Sequence, residues 1–290
     1  MGGNRQDLRS GVSDANGPLL TLRTHEQLIA ARALGIGELE ISLDLQRSRV
    51  TVQIEPEQWR WRGRAYPYLE RCKDRTVYYW DGTQFLPVAR YDAALVKLIP
   101  TTWGPPTFEI DGIKMLPTAQ VSPYEDARGK VESIRPQGKT ILDTCGGLGY
   151  FVACCVRAGA RSVRSYEKNP NVVWLRRLNP WSPENDPAIE DRWTLIEGDI
   201  TEHIATLPAG EFDAVLHDPP RFGIAGELYS GAFYREIARV LKPRGRLFHY
   251  TGTPNKLTTG RDVPREVAAR LKQAGFDTRL GADGVLAVKV

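Results

Sequence analysis

The apolar and polar positions of the 290-residue chain follow two different patterns in its two halves. In the first half, short alternating runs predict β-strands. Residues 39–45 and 50–55 form one expected hairpin, and Asp-Gly pairs at 81–82 and 111–112 each separate two further β-like runs. One helix is expected at 24–34. We therefore predict a β-rich accessory or substrate-recognition domain over 18–120, after a polar, disordered tail at 1–17.

The second half alternates short apolar runs with stretches of helical periodicity, over 121–290. This alternation predicts an α/β domain with a mostly parallel sheet. A last hairpin around the G-A-D-G turn at 281–284 is expected to add an antiparallel strand. The expected strands lie at 141–142, 163–166, 193–197, 212–216 and 246–251, and the expected helices at 124–134, 150–156, 231–241 and 263–274.

The first strand of this domain runs into a glycine-rich turn, T-I-L-D-T-C-G-G-L-G-Y-F at 140–151. Asp143 stands at the carboxyl end of the strand, and Gly147 and Gly149 permit close backbone approach. Glu167 ends the next apolar run, eighteen residues after Gly149. A carboxylate at that position can accept hydrogen bonds from both hydroxyls of a ribose. The layout predicts a site for an adenosine-containing cofactor.

Two classes of cofactor share this layout, and the spacing of small residues separates them. A dinucleotide needs G-x-G-x-x-G. Here Asp143 is followed by Cys145, Gly147 and Gly149, which resembles the D-x-G-x-G-x-G loop of class I S-adenosylmethionine-dependent methyltransferases, with Cys in place of the first glycine. The resemblance implies S-adenosylmethionine as cofactor, with Asp143 near its ammonium group.

The same resemblance assigns roles at the ends of the third and fourth strands. Asp199 is expected on the adenine amino group and Ile200 against the ring. The fourth run ends in H-D-P-P-R-F at 217–222, which resembles the D/N-P-P-Y/F motif of amino-group methyltransferases. A conjugated amine is a poor nucleophile, so the Asp218 carboxylate and the Pro219 carbonyl are expected to accept its hydrogens and aim its lone pair.

Arg221 occupies the place where an aromatic side chain usually stacks on a target base, and Phe222 follows one residue later. Either Phe222 stacks on a base through a shift of the loop, or Arg221 holds a phosphate or carboxylate. Both are candidate substrate-binding residues. His249 and His217, at the ends of the fifth and fourth strands, are candidate bases.

A narrower resemblance rests on several segments together. The motifs D-T-C-x-G-L-G-Y and H-D-P-P-R-F look like those of a family of predicted archaeal-type methyltransferases, over about 110–280. The chain departs from that family's loop at Gly146, where Thr is expected. By this resemblance Tyr229, His249 and Tyr250 lie on the substrate side. The other matching segments are E-K-N-P at 167–170, L-N-P-W at 178–181, G-E-L-Y-S at 226–230 and L-F-H-Y at 247–250.

Composition indicates the compartment in which the protein works, but it says little about the reaction. The net charge of +4 is too small to indicate nucleic-acid binding, and no apolar run approaches the length of a membrane span. The cysteines show neither zinc spacing nor a secretory framework, so we expect a cytoplasmic protein without a metal site. They are Cys72, Cys145, Cys154 and Cys155.

One segment of the first domain, 59–75, carries six basic residues against two acidic ones, interleaved with Trp59, Trp61, Tyr66 and Tyr68. It has two interpretations. Arginines with aromatic residues are the composition of a single-stranded RNA site. Alternatively, the segment is a strand whose tryptophans face the core, because residues two apart share a face.

The leading functional hypothesis is therefore an N-methyltransferase acting on an exocyclic amine of an RNA base, such as cytidine N4. A small-molecule methyltransferase, with the first domain as a lid, stays open. So does aminopropyl transfer of the spermidine synthase type, although H-D-P-P lacks the acidic motif by which those enzymes bind a polyamine. Non-catalytic RNA binding is the fourth hypothesis.

Overall fold

The computed structural model describes residues 17–221, 223, 225–252 and 262–290. The chain divides into two compact units. Unit 1 extends to Leu116 and includes Arg177–Pro180, and unit 2 comprises Pro117–Arg176 and Trp181–Val290. In the described part of the chain, no helix has the length and apolar character needed to cross a membrane.

From residue 17 onward, unit 1 contains one helix and three small antiparallel sheets, as the alternating sequence pattern predicts. The helix is α1 (Leu22–Ala33). One sheet has the order β1 (Leu19–Leu20), β6 (Tyr78–Trp80), β7 (Phe85–Pro87). The second runs β2 (Glu38–Ile41), β3 (Val50–Ile54), β4 (Gln58–Trp61), β5 (Arg64–Pro67). The third runs β11 (Ile113–Lys114), β10 (Thr107–Ile110), β9 (Leu95–Ile99), β8 (Ala89–Tyr91).

Local signals explain the limits of these elements. Asp111 and Gly112 have φ of 48° and 77°, the left-handed pair that a type I′ hairpin turn requires. The helix begins two residues earlier than expected because the Thr21 side chain accepts a hydrogen bond from Thr24 N. The strand expected at 39–45 ends at Ile41, since the Asp44 carboxylate organises the next residues as a loop, accepting hydrogen bonds from Ser42 and Ser48.

The aromatic residues of the basic segment form the core of unit 1. Trp59 is fully buried, and its ring stacks on Tyr66 at 4.6 Å between centroids. Arg60, on the opposite face of the strand, pairs with Glu55 at 2.7 Å. The strand interpretation is therefore the one that the structure supports, because neither buried ring is available to stack on a base.

Unit 2 is built on one seven-stranded sheet in the order β14-β13-β12-β15-β16-β18-β17, in which β18 runs antiparallel to its neighbours. The predicted α/β fold with an antiparallel last strand is confirmed. The strands are β12 (Thr140–Asp143), β13 (Ser162–Glu167), β14 (Trp193–Glu197), β15 (Phe212–His217), β16 (Leu241–Tyr250), β17 (Phe276–Leu280) and β18 (Gly284–Lys289). The helices are α2 (Pro123–Ile134), α3 (Tyr150–Arg157), α4 (Pro170–Leu178), α5 (Ile200–His203), α6 (Gly231–Val240) and α7 (Val263–Gln273).

The order of this sheet positions the candidate site. Strand β12 lies between β13 and β15, so the chain reverses its direction of travel across the sheet at β12. Asp143 pairs in register with Ser165 on one side and Leu216 on the other. Ligands of open α/β sheets bind beyond the carboxyl ends of the strands at such a switch point. The strand ends that carry the predicted motifs therefore meet at one edge of the sheet.

Candidate functional site

Asp143 is fully buried at the end of β12. Its Oδ2 accepts a hydrogen bond of 2.8 Å from Ser165 Oγ, whereas its Oδ1 makes no hydrogen bond in the described part of the chain. Burial raises the pKa of the Asp143 carboxyl to about 7, against the opposing effects of the Ser165 bond and the nearby Arg176 charge. A buried carboxylate oxygen without a partner is costly, so Oδ1 is suited to a cationic or hydrogen-bond-donating ligand group.

Glu167 holds the glycine-rich loop to the end of β13. Its Oε2 accepts a hydrogen bond of 2.9 Å from Gly147 N, and its Oε1 accepts one of 2.8 Å from Asn169 N. Burial raises the pKa of the Glu167 carboxyl, although both backbone bonds oppose that rise. Each carboxylate oxygen has a second lone pair. The half-buried side chain can thus accept two more hydrogen bonds from a vicinal diol.

Arg176 explains why Gly146 stands where the family loop is expected to have Thr. The guanidinium is fully buried beneath the loop and pairs with Glu184 at 2.7 Å. A Cβ at position 146 would lie 2.5 Å from Ser165 Oγ and 2.9 Å from Arg176 Nη1. Only glycine fits there without a shift of these side chains.

Asp199 follows β14 and caps α5. Its Oδ1 accepts a hydrogen bond of 2.9 Å from Thr201 N, and its Oδ2 pairs with Lys168 Nζ at 3.1 Å. Burial raises the pKa of Asp199, but the bonds from Thr201 and Lys168 outweigh it and hold the pKa below its usual value. The next residue, Ile200, is only 3% exposed and packs in the core of unit 2, so its contact with an adenine ring stays a prediction.

Cys145 is half-buried against that core, and burial raises the pKa of its thiol well above the ordinary value. The side chain is therefore neutral at neutral pH. It offers the loop a small, weakly polar group in place of a glycine.

Asp218, at the end of β15, pairs with a lysine that the sequence did not single out. Lys130 of α2 is 4% exposed, and its Nζ lies 2.7 Å from Asp126 Oδ2, 3.6 Å from Asp218 Oδ2 and 3.7 Å from the centroid of the Tyr250 ring. Burial raises the pKa of Asp218, and the Lys130 charge opposes that rise. Burial lowers the pKa of Lys130, but Asp218 and Asp126 outweigh it, so the ammonium stays charged.

The short helical turn at Gly226–Tyr229 holds the two prolines after Asp218 in place. Pro219 is buried, and the carbonyl of Pro220 accepts a hydrogen bond of 3.1 Å from Tyr229 Oη. Tyr229 is itself buried, so it supports the loop. Arg221 is exposed, and Phe222 lies outside the described residues.

The two candidate histidine bases have no ring nitrogen to offer a substrate. His249 Nδ1 bonds Tyr250 O at 2.8 Å and its Nε2 bonds Tyr234 Oη at 2.9 Å. His217 Nδ1 bonds Thr144 Oγ1 at 2.7 Å and its Nε2 bonds Leu228 O at 3.0 Å. Both rings are fully buried, and burial lowers the pKa of His249 to about 4 and holds that of His217 well below its usual range. We do not retain His249 as a substrate contact.

Sequence reasoning missed Lys130 and Arg176 for the same physical reason. Both lie on helices, where a basic residue ordinarily faces water. Lys130 stands four residues after Asp126, a spacing typical of an exposed helical ion pair. The available signal is helical spacing, because each lies three or four residues from buried apolar residues of its own helix: Ala127 and Ile134 for Lys130, Val172 and Val173 for Arg176.

The strand order and the placement of the site define the class I methyltransferase-like, Rossmann-like fold. A solved spermidine synthase in complex with the transition-state analogue AdoDATO shares this fold, with a TM-score of 0.54 and 17% identity over 70% of this chain and 73% of that one. No family model matches the chain.

Sequence comparison gives the family. The chain is 43% identical over 217 residues to uncharacterized protein MJ1233 of Methanocaldococcus jannaschii, covering 73% of each. The chain belongs to the family of that protein. A shorter match, 35% identical over 117 residues, is to polyamine aminopropyltransferase 2 of Streptomyces coelicolor, and it covers 39% of this chain but only 21% of that protein.

Proposed function

We propose that the chain is an S-adenosylmethionine-dependent N-methyltransferase acting on an exocyclic amine, with an RNA base such as cytidine N4 as the leading acceptor. One observation carries the proposal. The Asp218-Pro219 pair ends the strand next to the one that carries Asp143 and the glycine-rich loop, so an amine acceptor and the cofactor would meet at one edge of the sheet.

The residues at this edge fit the cofactor. The unpartnered Asp143 Oδ1 suits its ammonium group, the free lone pairs of Glu167 suit the ribose hydroxyls, and Asp199 suits the adenine amino group. Gly147, at a φ of 48°, and Gly149, at 79°, bring loop backbone close to the ligand without a side chain. When bound, S-adenosylmethionine supplies an electrophilic methyl group.

Asp218 and Pro219 then act on the acceptor. The Asp218 carboxylate and the Pro219 carbonyl accept hydrogen bonds from the amine, which fixes the direction of its lone pair. Lys130 supports this role because its charge favours the ionised form of Asp218 and holds the side chain in place. With the cofactor as methyl donor and its demethylated form as leaving group, the methylated nitrogen would release its extra proton to water, because both nearby histidines are neutral and fully bonded.

A second candidate is aminopropyl transfer, favoured by the short match to polyamine aminopropyltransferase 2. The strand end at Asp218 argues against it, because H-D-P-P supplies one carboxylate there, and Lys130 already pairs with that group. In either case, we propose that the β-rich domain at 18–120 recognises the acceptor and that 121–290 carries the reaction.

Labelled S-adenosylmethionine tests the proposal directly. Purified protein is incubated with methyl-labelled cofactor and total RNA from a strain that lacks the gene, and nucleosides are then separated by mass spectrometry. We expect label in one methylated nucleoside. In parallel, calorimetric titration compares S-adenosylmethionine with its decarboxylated form. Tighter binding of the decarboxylated form, with label absent from RNA, would favour the second candidate.

A further inference from the structure

A cavity of about 400 Å³ is lined by residues of unit 1. Three arginines, Arg23, Arg49 and Arg75, line it, with a single acidic residue, Asp74. Basic side chains therefore outnumber acidic ones in the lining, although Glu40 and Glu109 pair with two of the arginines from beside it. A cavity of this size takes a small organic molecule or part of a larger one.

Arg75 is held in place at this cavity. Its guanidinium pairs with Glu109, whose carboxylate is buried and also lies 3.5 Å from Lys97 Nζ. One carboxylate thus faces two cations, which leaves positive charge in excess. The Arg75 backbone has a φ of 52°, in the left-handed region that a bulky residue rarely adopts. Asp74 Oδ1 stabilises that turn by accepting a hydrogen bond of 2.8 Å from Arg75 N.

The other two arginines, Arg23 and Arg49, are exposed and complete the charged lining. Arg49 donates from Nε and Nη2 to Glu40, at 2.7 and 3.0 Å, which uses two of the five N–H groups of a guanidinium. Arg23 stands in the first turn of α1, a turn that has no acidic side chain to offset the positive end of the helix dipole. The polar residues Thr21, Ser42 and Thr101 line the same cavity.

From this arrangement we infer that unit 1 binds the phosphate group of a nucleotide or of a single-stranded RNA, with Arg23, Arg49 and Arg75 as its ligands. Two of these arginines already pair with carboxylates, Arg49 with Glu40 and Arg75 with Glu109, but each guanidinium has further N–H groups that can donate to a phosphate oxygen. Guanidinium groups form bidentate hydrogen bonds with phosphate oxygens. The described residues that line the cavity include no aromatic side chain, so the site is suited to bind a phosphate group and not to stack on a base.

Phosphate binding by unit 1 would not depend on the proposed methyl transfer. It gives the first domain a task of its own, namely to hold an anionic part of a substrate. Binding at this cavity is measured without any turnover, so the two conclusions can fail separately.

Calorimetric titration of the full chain tests the site with four probes: cytidine 5′-monophosphate, cytidine, inorganic phosphate and a short oligocytidylate without a terminal phosphate. The decisive variant is Arg23→Gln/Arg49→Gln, which changes two exposed side chains and leaves the anchored Arg75 intact. Arg71→Gln is the matched control, since Arg71 is exposed in the same unit and does not line the cavity.

We expect the monophosphate to bind the wild-type protein and the control with similar affinity, and to bind the double variant at least tenfold more weakly. Cytidine should not bind to any of the three proteins. If only the oligocytidylate shows that loss, the occupant is a polynucleotide backbone, and the site stands. Absence of arginine-dependent binding for both the monophosphate and the oligocytidylate would overturn the inference, as would equal affinity for cytidine and its monophosphate. Titration of the same variants with S-adenosylhomocysteine reports the cofactor site separately.

Discussion

Lys130 Nζ lies 3.6 Å from Asp218 Oδ2, although the two residues come from α2 and from the end of β15, 88 positions apart in the chain. Lys130 is almost fully buried, and the Asp218 side chain is 18% exposed. This pair joins a buried cation to the residue that we propose meets the acceptor amine. Its loss should therefore affect stability and chemistry together.

Replacement of the lysine should reveal the pair as a coupled unit. Lys130→Met leaves Asp218 and Asp126 without their common cation, and removal of one partner of a buried pair costs roughly 3 to 5 kcal/mol in favourable cases. We expect Lys130→Met/Asp218→Asn to be less destabilised than the sum of its single variants. Urea unfolding at pH 7 measures the cycle. Strict additivity would show that the two charges do not interact.

Asp218→Ala should abolish most methyl transfer while it leaves the affinity for S-adenosylhomocysteine within a few fold. The reason is that orientation of the amine lone pair is worth orders of magnitude in rate, whereas Asp218 is not among the expected cofactor contacts. Asp218→Asn should retain more activity than Asp218→Ala, because its amide oxygen still accepts a hydrogen bond. Exposed Asp277→Asn on β17 is the control. Near-normal turnover of Asp218→Ala on the identified acceptor would exclude the amine mechanism.

Two carboxylates of the proposed cofactor site should contribute similarly to the affinity for the cofactor. Glu167→Gln and Asp199→Asn should each weaken S-adenosylhomocysteine binding by about 1.5 to 3 kcal/mol, the usual value of a hydrogen bond to a charged group. Glu132→Gln, an exposed change on α2, should have no effect. Calorimetric titration gives the three dissociation constants. Unchanged affinity in both site variants would show that the adenosine moiety does not bind at this edge of the sheet.

The fold was predictable because it depends on periodicity. Apolar runs with acidic residues at their ends locate β12, β13 and β15, and the register then brings Asp143 and the Asp218 loop to one edge. Trp59 was ambiguous because a strand with alternating Trp and Arg has the same pattern whether its rings face a core or a ligand. The buried settings of Lys130, Arg176 and His249 were not predictable, since burial and hydrogen-bond partners depend on contacts between distant segments.

The Gly146 site predicts opposite effects for two glycine-to-alanine changes. Gly146→Ala should destabilise the protein by about 1 to 3 kcal/mol, as overpacking usually does, because its Cβ would overlap Ser165 Oγ and Arg176 Nη1. Gly129→Ala, within α2, meets no atom within 4 Å and should stabilise by about 0.5 to 1 kcal/mol. Thermal unfolding compares both with the wild type. If Gly146→Ala leaves the unfolding temperature unchanged, the loop can shift to make room for the Cβ, and the buried arginine does not require glycine at this position.

The buried histidines predict a loss of stability in weak acid. His249 is neutral in the folded protein, where its pKa is about 4, but it takes up a proton near pH 6.5 when unfolded. The unfolded state therefore binds more protons between these values, so the contribution of His249 is complete above about pH 6.5 and falls as the pH decreases towards 4. In this range, the contribution of His249 to the free energy of unfolding should decrease by about 1.4 kcal/mol for each pH unit. Urea unfolding of the wild type and of His249→Gln at pH 7 and pH 5 measures it, because the difference between the two pH values should be smaller in the variant. An equal difference in both proteins would show that His249 does not titrate on unfolding.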